Sequence, residues 1–518
     1  MVLYSQAFDE KKSSVHQIPA STPTETNPSL LAADEDPHHL DVDWTDEEES
    51  RLVRKLDCLV MPLLMLGFYA LQLDRGNIGN AMTDYFLEDV GITQFQFNVG
   101  QQLLSAGIVL LEIPSNIILY RIGPQKWISG QIIAWGLVAT FQAFQKGLPA
   151  YMVTRILLGL CEAGFIPAGL YTITLWYKRE ETSKRFSWFF IGNLGAVAST
   201  GLIGYGILHM RGICNLGGWQ WLFILEGLFT VSVGILFTIL FPKNPAQPKS
   251  ILGFRYFSER ESQILRKRIV LDDPRKLQKK KWIDWSELKR ALSNWTVYPH
   301  LLLTMTAVAP NSALNSYAPT LVQSFGYGRL TANALVSVGG WISLILNVSW
   351  GYLADHSGRR GPWVTGGIFF WWAFTIGNLC LIHSDNEQAR YALLTLALST
   401  DMFYHATNGS WMALNCRSAG ERSITMALFI MAANCSGIIG SQLFQADDKP
   451  LYAKGWAAIV GLTSAGLFFS VVANVQYWWL NRRLRKKEAG SERDDGDGGE
   501  VEYPTETGEP VGVVRYHP

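Results

Sequence analysis

Twelve apolar stretches, each about 20 residues long and so able to cross a hydrocarbon core of roughly 30 Å as a helix, divide this chain. They fall near residues 58–82, 97–119, 126–145, 151–177, 186–209 and 219–241, and again near 298–325, 331–354, 362–383, 390–414, 423–446 and 455–481. Backbone groups in lipid must be satisfied within the segment, so stretches of this kind fold as helices. The pattern predicts an all-α polytopic membrane protein with 12 transmembrane helices in two six-helix bundles. Its expected parts are a disordered polar tail over 1–50, a first bundle over 51–245, a charged linker over 246–296, a second bundle over 297–485 and a second disordered tail over 486–518. In the linker, Ser258 with Glu261 and Asp284 with Glu287 have the cap-x-x-Glu spacing of a helix start.

The distribution of charge gives an orientation. Lys and Arg cluster beside the first span (Arg51, Arg54, Lys55), after the second (Arg121, Lys126) and after the fourth (Lys178, Arg179, Lys184, Arg185), and they are dense in the linker. The same side collects Arg359 and Arg360, Arg417 and Arg422, and Arg482, Arg483, Arg485, Lys486 and Lys487. The opposite loops hold isolated bases (Lys146, Arg211, Arg329) among acids such as Asp84, Glu88, Asp89, Asp385 and Glu387. Positive residues stay on the cytosolic side, so both termini are expected there. The N-terminal segment lacks the apolar core and cleavage region of a secretory signal, which leaves the first span to direct insertion. With 44 basic and 44 acidic residues the chain has no net charge to attract nucleic acid. Six cysteines, mostly inside apolar stretches and without zinc-site spacing, read as small buried hydrophobes, and nothing calls for a metal or cofactor. Sequons at Asn294, Asn347, Asn408 and Asn434 fall in the linker or within spans.

An ionisable group inside a membrane costs roughly 2.5–3.5 kcal/mol on insertion scales, so each one is a candidate functional residue. Three places qualify by this reading: Asp74 with Arg75, Arg155 with Glu162, and Glu226. Arg155, Gly159 and Glu162 recur on one helical face, where Gly159 leaves room for a neighbouring backbone or a substrate. A carboxyl balanced between burial and a nearby guanidinium can take up and release a proton, which makes Asp74 and Glu162 the candidates for proton coupling. The alternative is that Asp74, Arg75, Arg155 and Glu162 form fixed ion pairs between the first and fourth spans. Glu226, in an aromatic stretch with Trp219, Trp221 and Phe223, reads as an interfacial residue. In the second half Asn311, Asn315 and Tyr317, with Asn408, Trp411 and Asn415, could line a mostly apolar substrate pocket, or could hydrogen-bond between helices. His405 reads as a hydrogen-bonded core residue.

After the eighth span, Gly351-Tyr-Leu-Ala-Asp355-His-Ser-Gly358-Arg359-Arg360 forms a GxxxDxxGRR pattern. It resembles the loop motif of the major facilitator superfamily, a resemblance that implies the two-bundle fold and a conformational latch at Gly351, Asp355, Gly358, Arg359 and Arg360. The matching loop after the second span keeps Gly123 and Lys126 but has Tyr120 where the pattern expects Asp. The likeness narrows in Leu73-Asp74-Arg75-Gly76-Asn77-Ile78-Gly79-Asn80-Ala81, in Arg155-Ile-Leu-Leu-Gly159-Leu-Cys-Glu162-Ala-Gly164 and in Gly218-Trp219-Gln-Trp221 through Glu226-Gly227. Together with Asn434-Cys-Ser-Gly437-Ile-Ile-Gly440-Ser-Gln442 and Asp447-Asp-Lys-Pro450-Leu-Tyr452, these blocks resemble the anion:cation symporter family and its fungal allantoate, nicotinate and pantothenate permeases.

The resemblance implies proton-coupled uptake of a small organic anion by alternating access, at the plasma membrane, by a carrier working as a monomer. It puts Asp74 and Glu162 in the role of proton carriers, with Arg75 and Arg155 as their partners or as carboxylate anchors. Export of a metabolite or toxic acid is the rival within transport, and a membrane nutrient sensor is the rival outside it. No nucleophile elbow, phosphate loop or metal cluster points to an enzyme.

Overall fold

In the computed structural model every apolar stretch is helical, and two of the twelve are broken in the middle. The structure describes residues 43–272, 285–416 and 419–494. The first six crossings are α1 (Asp46–Met82), α3 (Gln94–Ile122), α4 (Pro124–Phe141), the pair α5 (Gly147–Glu162) and α6 (Phe165–Trp176), α7 (Arg179–Leu208) and α8 (Gly218–Leu240). The short α2 (Phe86–Val90) lies between α1 and α3, while α9 (Glu259–Asp272) and α10 (Trp285–Ser293) lie in the linker. The last six crossings are α11 (Val297–Ser324), α12 (Arg329–Ser357), α13 (Arg360–Cys380), the pair α14 (Glu387–Thr400) and α15 (His405–Leu414), α16 (Ala419–Gly440) and α17 (Ala453–Asp494). Among the described residues, seven crossings are long and apolar enough individually to span a membrane, α5 and α6 counting as one.

Helix starts follow local chemistry. Thr45 caps α1 in a reciprocal box, its Oγ1 accepting from the Glu48 amide at 3.3 Å and the Glu48 carboxylate accepting from the Thr45 amide at 3.0 Å. Gly123, at φ +92, turns the chain between α3 and α4, and Pro124 opens α4 at a position where its missing N–H is not needed. Gly358, at φ +65, makes the corresponding turn between α12 and α13.

The two halves repeat one packing scheme. In the first, α4 packs on α8, α1 on α7 and α8, and α3 on α5; in the second, α13 packs on α17, α11 on α16 and α17, and α12 on α14. These are the same pairings in crossing order, the signature of a duplicated bundle. The halves meet through α7 with α12, α3 with α16 and α1 with α11, and exchanging the halves leaves that set unchanged.

Several expectations need adjusting. Helix α17 runs on to Asp494, so the start of the expected C-terminal tail is helical. The rest of that tail, residues 1–42 and the Asp284 cap lie outside the described residues. Cys58 and Cys380 are exposed because an apolar stretch has an outward face as well as a core face, Cys214 is exposed in the loop before α8, and only Cys416 of the six is buried. His405 is half-buried and stacked on Phe429, and its buried Nδ1 has no hydrogen-bond partner.

The linker is also more than a tether. Ile264, Leu265 and Ile269 of α9 enter the same apolar cluster as Leu52, Leu56 and Trp176. Around that contact Arg268, fully buried, reaches Glu49 at 3.3 Å and Glu181 at 2.5 Å, and Lys55 reaches Glu261 at 2.9 Å. Burial pushes the Glu261 carboxyl up, but the Ser258 amide and Lys55 outweigh it and hold the group below its ordinary value of 4.5. A depressed carboxylate contributes stability that is complete above its unfolded value and is lost as pH falls through the folded value. Docking of α9 is therefore expected to weaken as the pH falls below the ordinary 4.5 toward the depressed folded value, and Glu261→Gln to show the weaker docking already at neutral pH, both read as faster amide exchange in α9.

Candidate transport site

The fourth crossing breaks where its acid sits. Glu162 ends α5, Gly164 takes φ +79, and α6 begins at Phe165. Interrupting a helix at membrane depth strands backbone groups that need partners inside the protein. The Gly164 amide donates to the Glu112 carboxylate of α3 at 3.1 Å, and Gln131 of α4 donates to the Ala163 carbonyl at 2.7 Å. A Cβ on Gly164 would fall 2.5 Å from Ser115 Oγ, so space and dihedral both require glycine there.

Around this break the four charged residues do not pair as neighbours in sequence. Arg75 Nε donates to Glu162 Oε2 at 2.6 Å, joining α1 to α5; the Glu162 side chain is fully buried and Arg75 remains 23% accessible. The second Glu162 oxygen has no hydrogen-bond partner. Asp74, one residue earlier and therefore on a different helical face, points to α8 and accepts from Thr230 Oγ1 at 3.0 Å. Glu226 lies one turn before Thr230, is buried rather than interfacial, has no partner on either oxygen and senses Asp74 electrostatically. Arg155 is buried with Nε and one terminal nitrogen unpartnered, its guanidinium lying 5.3 Å from the Tyr151 ring centre. The fixed-pair alternative thus describes Arg75 with Glu162, and neither Asp74 nor Arg155 enters an ion pair among the described residues. Gly159 serves a backbone contact: a Cβ there would meet the Leu104 carbonyl of α3 at 2.2 Å.

The second-half candidates separate into three groups. Asn315 is exposed and donates to Asn311 Oδ1 at 2.9 Å, and Asn311 donates to Asp401 at 2.5 Å. Tyr317 is buried between the halves, bonded to Asn98 and packed on Phe97, Phe444 and Tyr452. Asn408 is fully buried, accepting from His300 at 2.7 Å and donating to Thr304 at 3.2 Å. Trp411 packs on His300 and Tyr477, while Asn415 donates to the Trp411 carbonyl at 2.9 Å. Of the six, Tyr317 meets the first half directly, Asn315 is exposed and Asn311 is half-buried. Asp401 and Glu112 are two further buried carboxylates within apolar stretches, and the same cost of burial applies to both.

The registers of α1 and α11 bring the two halves together at one place. A Cβ on Gly79 of α1 would meet the Asn315 carbonyl of α11 at 2.5 Å, so the two backbones touch there. One turn back along each helix, on the same faces, stand Arg75 and Asn311.

Beyond that contact the halves are sealed. Asp84, fully buried, accepts from Arg329 of the second half at 2.6 Å, from Arg211 of the first at 2.9 Å and from the Trp219 amide at 3.0 Å. Asn333 donates to Thr83 at 2.9 Å, and Asn98 donates to the Phe444 carbonyl at 2.8 Å. A Cβ on Gly201 would meet the Asn333 carbonyl at 2.2 Å, so α7 and α12 also touch backbone to backbone at this end.

At the opposite end the Gly358–Arg359 turn is pinned by Ser357, whose Oγ accepts from the Arg359 amide at 3.3 Å and from Trp363 Nε1 at 2.7 Å. Arg360 Nε donates to Ser410 at 3.2 Å. Nothing lies within 4 Å of a Cβ placed on Gly351, and the Asp355 side chain is outside what the structure describes.

A duplicated twelve-helix bundle with broken crossings, buried intramembrane charges and halves locked together at one end defines a polytopic solute transporter. The comparisons agree. The family model described as Major Facilitator Superfamily matches residues 64–442, and the chain belongs to that superfamily. An uncharacterized transporter of Saccharomyces cerevisiae, YIL166C, is 29% identical over 86% of this chain and 83% of its own length. The MFS-type transporter cnsO of Penicillium expansum is 26% identical over 87% of each. Among solved structures, the xylose transporter XylE from E. coli in a partially occluded inward-open conformation aligns with a TM-score of 0.60 at 13% identity, covering 79% of this chain and 96% of that one. An inward-facing bacterial homologue of the human lysosomal transporter Spinster also gives 0.60 at 13% identity, over 83% and 96%. The chain is a transporter, not an enzyme.

Proposed function

We propose that the protein is a proton-coupled symporter that takes up a small organic anion, with both termini cytosolic, at the plasma membrane and as a monomer. The observation that carries this is the Arg75–Glu162 pair. Its guanidinium is partly accessible at the gap between halves, while its carboxylate is buried at a helix break with one oxygen unpartnered. An anion entering the gap competes with Glu162 for Arg75, and protonation of Glu162 releases the guanidinium to the anion. Binding of anion and of proton then favour each other without a net charge being left in the site. Asp74, held by Thr230 and near Glu226, is the second proton carrier on this reading, and Arg155 a second anchor for the anion.

With cytosolic termini the sealed end is external, so the conformation described is closed outward. Alternating access breaks the Asp84, Asn333 and Asn98 contacts and forms others at the Gly351–Arg360 turn. The units that rock are residues 51–245, carrying α9 with them, and 297–485.

Uptake of radiolabelled nicotinate, pantothenate and allantoate by expressing cells at external pH of about 5 and about 7.5 tests the proposal, with Asp74→Asn and Glu162→Gln alongside. At least one label is expected to accumulate faster at the lower pH, and each substitution to reduce that uptake at least tenfold at equal surface expression. Uptake that ignores pH and survives both substitutions would overturn proton coupling, and no accumulation of any label would overturn this substrate class.

A further inference from the structure

Asp401 is the one Asp, Glu, Lys or Arg in the interior of the six apolar stretches of the second half. It stands at the break between α14 and α15, the position in the second bundle that the Glu162 break holds in the first. Its side chain is 5% exposed, and no ion pair includes it among the described residues. Its partner is Asn311 Nδ2 at 2.5 Å, and Asn311 Oδ1 in turn accepts from Asn315 Nδ2 at 2.9 Å. A row of three side chains therefore connects a buried carboxylate to an exposed amide on α11, across the gap from Arg75.

The direction of that row is fixed by its buried end. An ionised carboxylate only accepts, so Asn311 must turn its NH2 toward Asp401 and its oxygen toward Asn315. Asn315 then spends its NH2 on Asn311 and offers its oxygen, an acceptor, to the gap. A proton added to Asp401 from water in the gap turns that oxygen into an O–H donor. Asn311 can accept it by rotating its amide half a turn, Asn315 follows, and the exposed end becomes an N–H donor. One proton is taken up and no covalent bond other than its O–H is made.

We infer that Asn315–Asn311–Asp401 is a polarity switch: a proton on Asp401 converts the wall at Asn315 from a hydrogen-bond acceptor, which repels an anion, to a donor, which binds one. The inference rests on the anion symport proposed above and adds to it a coupling group in the second half that need not touch the anion. Few other groups could drive such a titration. Tyr404 is the titratable neighbour at the break, and His405 follows it, stacked on Phe429. The ionisable residues of α12, α13 and α16 (Arg329, Asp355, His356, Arg360, Glu421, Arg422) stand at helix ends, and Arg75 is the charged group on the facing side of α1.

The test is infrared difference spectroscopy between about pH 5 and about pH 8 on the purified full chain in lipid nanodiscs, with nicotinate binding measured on the same samples. A component of the protonated-carboxyl band is expected to be lost in Asp401→Asn and shifted in Asn315→Leu, the component from Glu162 and Asp74 remaining in both, together with an Asn amide change that both substitutions reduce. Nicotinate affinity is expected to be higher at the acid pH in the wild type, and the acid-to-alkaline ratio to fall by about threefold in either variant, the remainder being the Glu162 contribution. A carboxyl band identical in the wild type and in Asp401→Asn, or an amide signal indifferent to pH, overturns the switch. Equal pH dependence of nicotinate affinity in the wild type and in Asn315→Leu overturns it also. If the wild type binds no nicotinate while both bands behave as described, the switch stands and the anion proposal is what fails.

Discussion

Arg75→Ala is expected to abolish uptake. The substitution leaves Glu162 fully buried without the guanidinium that now lies 2.6 Å away, and the acid has no other hydrogen-bond partner. Removing one member of a buried pair costs about 3–5 kcal/mol, enough by itself to lower activity by more than about a hundredfold. Arg75→Lys separates the two functions of the side chain. A lysine keeps the charge that Glu162 needs, so the melting temperature of the purified protein should recover toward the wild type. It does not reproduce the planar fork that grips a carboxylate, so transport should recover far less. A lysine variant as active as the wild type would show that charge alone suffices at this position, and an alanine variant that transports would remove Arg75 from the mechanism.

Asp84→Asn should open the sealed end. Asp84 is fully buried beneath two arginines, one from each half, and it also receives the Trp219 amide. Neutralising it sets Arg211 and Arg329 against each other with no anion between. Both guanidiniums keep some solvent contact, so the penalty belongs at the lower end of the range for a broken buried pair, about 3 kcal/mol. Spent on the equilibrium between sealed and open forms, that is more than about a hundredfold shift in population. A cysteine at Ser316, behind the seal, should then react with a membrane-impermeant thiol reagent from outside the cell. The exposed Cys214 and Cys380 must first be replaced by serine, since both lie toward the same end. Unchanged labelling in Asp84→Asn would mean that the Asn333, Asn98 and glycine contacts hold the seal without the ion pairs.

The value of Asp84 as a lock was not visible from its position in the chain. In sequence it is one acid among several in a short loop, where an exposed ion pair contributes little. Packing of the two halves buries it and delivers Arg329 from 245 residues away. Glu226 shows the same limit in reverse: its aromatic neighbours suggest an interface, yet the turn of α8 puts it inside, beside Asp74. Asn408, Trp411 and Asn415 share a helix with plausible pocket spacing, but the face they occupy packs on His300 and Tyr477 within the second bundle. Asp401 is different. The rule that a carboxylate is costly in lipid applied to it as fully as to Asp74, so the signal was in the sequence and went unused.

Sequence alone determined the number of crossings, their grouping in two sets and the candidate first-half charges, because burying apolar surface and avoiding charge in lipid act locally, along about 20 residues at a time. It also fixed the turns at Gly123 and Gly358, where the backbone needs φ values that favour glycine. Only the tertiary structure decided who pairs with whom. Asp74 and Arg75 are adjacent in the chain but leave α1 on different faces, and which face meets α5, α8 or α11 depends on how six helices pack around one another. The breaks at Glu162 and Asp401 likewise needed the fold, since an interrupted helix persists in a membrane only where neighbouring side chains such as Glu112 and Gln131 satisfy its stranded backbone.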